Sequence, residues 1–85
     1  MSYAVKFTPV DRPSDGITID GFDTPRDAWN ELLTQLENDQ DAVSRKGAKD
    51  AYQTAIDVTL ERNLNHPGAV EVGELFVYGV IETNS

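Results

Sequence analysis

The sequence predicts a small two-layer α+β domain, and three patterns of apolar residues carry that expectation. Tyr3, Val5 and Phe7 alternate with Lys6 and Thr8, apolar residues recur at helical spacing between Ala28 and Leu60, and a dense apolar run extends from Val70 to Glu82. A period of two marks a strand covered on one face, whereas spacing of three and four marks a helix with one buried stripe. The expected order is β-β-α-α-β, a three-stranded, mainly antiparallel sheet packed on two helices, with residues 1–85 forming one domain.

The first strand is the Tyr3 to Thr8 alternation. Asp11-Arg12-Pro13-Ser14-Asp15-Gly16 then collects turn formers, proline fixing one φ and glycine accepting a positive one, so the chain reverses there. A second strand over about Ile17 to Phe22 pairs antiparallel with the first and sends Ile17 and Ile19 to the side of Val5 and Phe7.

Thr24-Pro25-Arg26-Asp27 is a helix start. The threonine hydroxyl can accept from an unpaired amide of the first turn, proline fits the first helical position, and Asp27 completes a box-like T-x-x-D. Ala28, Trp29, Leu32, Leu33 and Leu36 form the buried stripe of a helix over about Pro25 to Glu37, and Asn38-Asp39-Gln40-Asp41 reads as the loop after it. A second helix follows over about Ser44 to Arg62, starting as late as Ala48 because of Gly47, with Ala48, Ala51, Tyr52, Ala55, Ile56, Thr59 and Leu60 inward. Asn63-Leu64-Asn65-His66-Pro67-Gly68 ends it.

The last strand spans about Val70 to Glu82 beside strand one. It carries Leu75, Val77 and Ile81 on one face but Phe76, Tyr78 and Val80 on the other. Two helices cover one face of such a sheet, so the expectation is an apolar patch containing Phe76, Tyr78 and Val80 that serves a partner or a homodimer.

Composition narrows the function classes. There are 15 acids against 7 bases, a net charge of −8, and no cysteine, which removes disulfides, thiolate metal sites and cysteine nucleophiles at once. His66 is the sole histidine and sits in a turn with no nucleophile motif nearby, so no catalytic residue is assigned and the protein is not read as an enzyme. Glu37-x-Asp39-x-Asp41 resembles the start of a calcium loop, but Ala42 and Ala48 occupy the positions where glycine and the closing acid are needed; no metal or other cofactor is expected. Arg45, Lys46 and Lys49 form the one basic cluster, and the overall negative field opposes polyanions, so the expected role of those bases is pairing with Asp41 and Asp50 rather than direct nucleic-acid binding. No apolar run is long enough for a bilayer or forms a leader, which leads to the expectation of a cytoplasmic protein, in the host cytoplasm if phage-encoded.

The acids themselves are concentrated. Between residues 11 and 31 lie six of them against Arg12 and Arg26, and Glu37, Asp39 and Asp41 follow unopposed. In size, acidity, lack of cysteine and the acidic helix "GFDTPRDAWNELLTQLEN", the chain resembles the small acidic proteins with which phages and mobile elements disable host defences, anti-CRISPR proteins and DNA mimics among them. That resemblance implies a non-enzymatic inhibitor occupying a basic, nucleic-acid-binding site on a larger protein. The residues expected to meet the partner are Asp20, Asp23, Asp27, Glu31, Glu37, Asp39 and Asp41, with Phe76 and Tyr78 from the last strand. The alternative is a structural or housekeeping oligomer whose acids only solvate it, as in halophiles; nine aspartates, six glutamates and three lysines fit that composition.

Overall fold

The computed structural model describes residues 2–83. Strand β1 (Ser2–Pro9) leads through a short 3-10 turn to β2 (Ile17–Phe22), then helices α1 (Pro25–Ala42) and α2 (Lys46–Glu61), and finally strands β3 (Gly68–Val72) and β4 (Phe76–Thr83). The strands form one antiparallel sheet in the order β2-β1-β4-β3, and both helices pack on the same face of it. Among the described residues no helix is long and apolar enough to cross a membrane.

The sheet has four strands where three were expected. The run from Val70 to Glu82 is a hairpin that folds back at Gly73-Glu74-Leu75, with Gly73 at φ +56° and the Leu75 amide donating to the Val72 carbonyl at 3.1 Å. A strand of thirteen residues would have exceeded the usual three to ten. β4 does lie beside β1, paired from Ser2↔Thr83 to Pro9↔Phe76.

That register also corrects the expected faces. Residues directly opposite across a ladder share a side of the sheet, and Val5↔Val80, Phe7↔Tyr78 and Pro9↔Phe76 put the whole set on the helix side. Tyr78 is only 3% exposed and Phe76 is half-buried against the core, so neither belongs to an outward patch. The amphipathic β1 decides the matter, because β4 must match the face on which Val5 is buried. The outer side of β4 keeps Val77 and Ile81, separated by Gly79.

β2 contains a bulge that repairs its own pattern. Tyr3 pairs with Phe22 and Val5 with Ile19, so Asp20 and Gly21 together oppose Ala4 alone, with Gly21 at φ +99°. Without the extra residue Phe22 would point outward; with it, Phe22 packs against the core beside the entry to α1.

Thr24 caps α1 as expected, its Oγ1 accepting from the Asp27 amide at 3.1 Å with Pro25 at the first helical position. Ala28, Trp29, Leu32 and Leu36 are buried. The helix then runs five residues past the expected end at Glu37, through Asn38-Asp39-Gln40-Asp41, because α2 holds it. Gln40 Nε2 donates to the Lys49 carbonyl at 3.1 Å, and Lys49 Nζ returns to the Gln40 carbonyl at 3.0 Å, a cation placed on the carbonyl end of a helix.

The core joins Tyr52, Ala55 and Ile56 of α2 to the α1 stripe and to Val5, Val70, Val72, Tyr78 and Val80 of the sheet. Leu60 is 63% exposed, a correction to the expected stripe, since it falls on the flank of α2 away from Tyr52 and Thr59. Trp29, fully buried, ties the loop after α2 to α1: its indole Nε1 donates to the His66 carbonyl at 2.7 Å, and the Arg62 guanidinium lies 4.7 Å above its ring.

Candidate functional site

α1 carries five of the expected site acids, and its geometry sorts them by direction. At 100° per residue Asp27, Glu31 and Asp41 share the outer face, with Glu37 at its margin, while Asp39 turns back toward the sheet. Asp27, Glu37 and Asp41 are exposed; Glu31 is half-buried and accepts from Gln35 Nε2 at 3.1 Å. Asp20 on the bulge and Asp23 just before the cap are exposed as well. Because residues 37–41 are helical, the alternating acids radiate around α1 and form no ion-binding loop, and among the described residues no cluster of three or more His, Cys, Asp or Glu side chains is arranged to hold a metal.

The expected pairing of the basic cluster with Asp41 and Asp50 is not present. Lys49 is committed to the Gln40 carbonyl, and among the described residues the one ion pair is Arg12 with Asp15 at 3.6 Å, both largely exposed. The outer acids of α1 therefore take part in no ion pair among the described residues.

Asp39 has a different setting. It accepts a short hydrogen bond from the Tyr78 hydroxyl, and the Tyr52 hydroxyl lies 3.3 Å from that of Tyr78. Since Tyr78 gives its proton to the carboxylate, its oxygen accepts from Tyr52, and the relay runs Tyr52 to Tyr78 to Asp39. Burial is the main reason that the Tyr78 hydroxyl is held far above its ordinary range, reinforced by its bonds to Asp39 and Tyr52. Burial also raises Tyr52, opposed by the bond to Tyr78 and supported by the charge of Asp39. Both phenols stay protonated at neutral pH. Phe7 and Phe76 meet the Tyr78 ring edge to face, at centroid distances of 4.9 and 6.3 Å.

The relay forms one wall of a recess of about 460 Å³ between the sheet and the C-terminal end of α1. Phe7, Ile17, Ile19, Val43 and Phe76 supply its apolar walls, and Asp39, Tyr52 and Tyr78 its polar end. Ile17 sits on the helix side opposite Phe7, as the alternation in β2 predicts, yet it is 62% exposed because nothing packs over that end of the sheet. Sequence reasoning named Asp39, Phe76 and Tyr78 and missed their convergence. The signal available was the in-line match of β4 to β1, which places Tyr78 beside Phe7 once Val5 and Val80 are paired.

No family model matches this chain, and neither a curated protein nor a solved structure matches it significantly.

Proposed function

We propose that this chain is a non-enzymatic acidic binding module that occupies a basic, nucleic-acid-binding site on a larger protein, as an inhibitor of the anti-CRISPR or DNA-mimic kind does. The observation that supports this reading is the unneutralised outer surface of α1 and its entry. Asp20, Asp23, Asp27, Glu37 and Asp41 are exposed, and none takes part in an ion pair among the described residues. An unpaired acidic surface on a rigid helix is complementary to a basic groove, and such complementarity accelerates encounter and fixes register. Like charges left side by side raise the self-repulsion of the molecule, a cost that binding a basic partner relieves.

The test is recovery of a partner from lysate, followed by kinetics with Asp27→Lys/Asp41→Lys, two exposed positions of the outer face. Folding should be nearly unchanged, because exposed charges contribute little to stability. Association should slow by about tenfold or more at low salt, and wild-type association should weaken as screening shortens to about 10 Å at 0.1 M. A labelled nucleic acid should be displaced from the partner by the wild-type chain. Stability that climbs steeply in molar salt, with no partner recovered, would instead favour acids that only solvate the fold.

A further inference from the structure

We propose that the recess beside the tyrosine relay is a binding site for a small apolar organic cation, whose hydrocarbon part lies against Phe7, Ile17 and Phe76 and whose ammonium group meets Asp39. This site is separate from the outer acidic face of α1 and stands whether or not that face binds a partner.

Size and lining make it a ligand site. Its volume of about 460 Å³ falls within the roughly 300–1,000 Å³ of small-molecule pockets, which are mostly apolar with a few converging polar groups. Here the apolar part is contributed by β1, β2, β4 and Val43, and the polar groups come together at one end. Ile17 supplies an exposed apolar wall that a ligand would cover.

Charge and hydrogen-bond direction select the ligand class. The lining contains Asp15 and Asp39 and no lysine, arginine or histidine. Asp15 is engaged by Arg12, which leaves Asp39 as the unmatched carboxylate. Its Oδ2 accepts from Tyr78, while Oδ1 takes no hydrogen bond among the described residues. Donors are scarce: the Tyr52 proton is directed at Tyr78, the Tyr78 proton at Asp39, and Gln35 Nε2 gives one of its protons to Glu31. An anionic or acceptor-rich ligand would therefore find few partners, whereas an ammonium group finds a carboxylate oriented by the relay. Asp39 and Ala42 also belong to the last turn of α1, where the helix dipole presents its negative end.

The probe is phenylbutylammonium, compared with phenylbutanol and phenylbutanoate of the same shape, in amide-resolved NMR titrations of the whole chain. The ammonium compound should shift the amides of Ile17, Ile19, Asp39 and Val43, and should bind about tenfold or more tightly than the alcohol, the effect of a charge-assisted bond. The carboxylate should leave those amides unmoved. In Asp39→Asn, which keeps an acceptor for Tyr78, the preference for ammonium over alcohol should vanish while the alcohol still binds. Ala42→Lys, a substitution at an exposed helix end, should supply an internal ammonium three residues from Asp39 and exclude the probe with the fold intact. Equal binding of the three probes overturns the proposal. So does binding by none, an unchanged ammonium preference in Asp39→Asn, or shifts confined to the amides of Asp27, Glu31 and Asp41.

Discussion

The two ends of α1 rest on the same sheet and are finished in opposite ways. At the N-terminal end the cap, the bulge-directed Phe22 and the loop after α2 close around Trp29, which is fully buried with its indole nitrogen and its ring face both engaged. At the C-terminal end the sheet continues beyond the helix, Ile17 is left 62% exposed, and polar groups satisfy one another across an open recess. One end is held by apolar packing locked with hydrogen bonds, the other by a directional polar chain over unfilled space. The acidic character of the chain is therefore not uniform in role: the same helix presents acids to solvent on one side and inserts one into a tyrosine relay on the other.

The closed end of α1 depends most on Trp29. Trp29→Ala should cost about 3–5 kcal/mol in urea unfolding, since it empties core volume and releases Arg62 and the His66 carbonyl together. A loss below that of a surface substitution would mean that the N-terminal end is not the closed one. Tyr78→Phe should cost less, about 1.5–3 kcal/mol, the range for a hydrogen bond to a charged group. If it were neutral, the relay would be ornamental to stability and the open end would be held by packing alone.

The relay also sets the alkaline limit. Tyr78 and Tyr52 have raised folded-state values against an ordinary value of 10.0, so the folded state retains protons that the unfolded state releases. Stability is fully present below pH 10 and declines as pH rises from there toward the folded values. Titration of tyrosinate absorbance, followed beside unfolding, should show these two rings ionising only as the fold is lost, and Tyr78→Phe should flatten the decline. Thr24→Ala should cost about 1 kcal/mol through the lost cap. The smallest effect belongs to Ile17→Ser, expected within about 0.5 kcal/mol because that side chain is largely in water already. A large loss there would show that the recess closes over Ile17 in solution.

The elements whose causes are local were legible in the sequence. Thr24-Pro25 marked the start of α1, the Trp29-Leu32-Leu36 spacing marked its buried face, and the Tyr3-Val5-Phe7 alternation marked β1. What escaped had causes distant in the chain. The Asn38 to Asp41 segment has weak helical propensity, and it stays helical through Lys49 and Gln53, nine and thirteen residues beyond Gln40. The Gly73 turn was masked by apolar residues on both sides, so the hairpin looked like one long strand. An apolar run that reads alike on both sides puts Tyr78 on the outer face, and the pairing of β4 with β1 reverses that. The recess follows from an absence of cover, which no run of residues spells out.

Arg62 has a significance beyond its stacking on Trp29. Its guanidinium also donates to the Ala69 carbonyl at 2.8 Å, and a methyl group built on Gly68 would fall 2.3 Å from its Nη2. β3 is an outermost strand of the sheet, with a row of backbone groups open to any chain that could extend it. The arginine lies across the start of that row like a stopper, taking an acceptor that an incoming strand would need, and the bare Cα of Gly68 leaves it room to do so. One acceptor of that open edge is thereby occupied where α2 hands over to the hairpin, and a side chain at position 68 would force the guanidinium that holds it to shift.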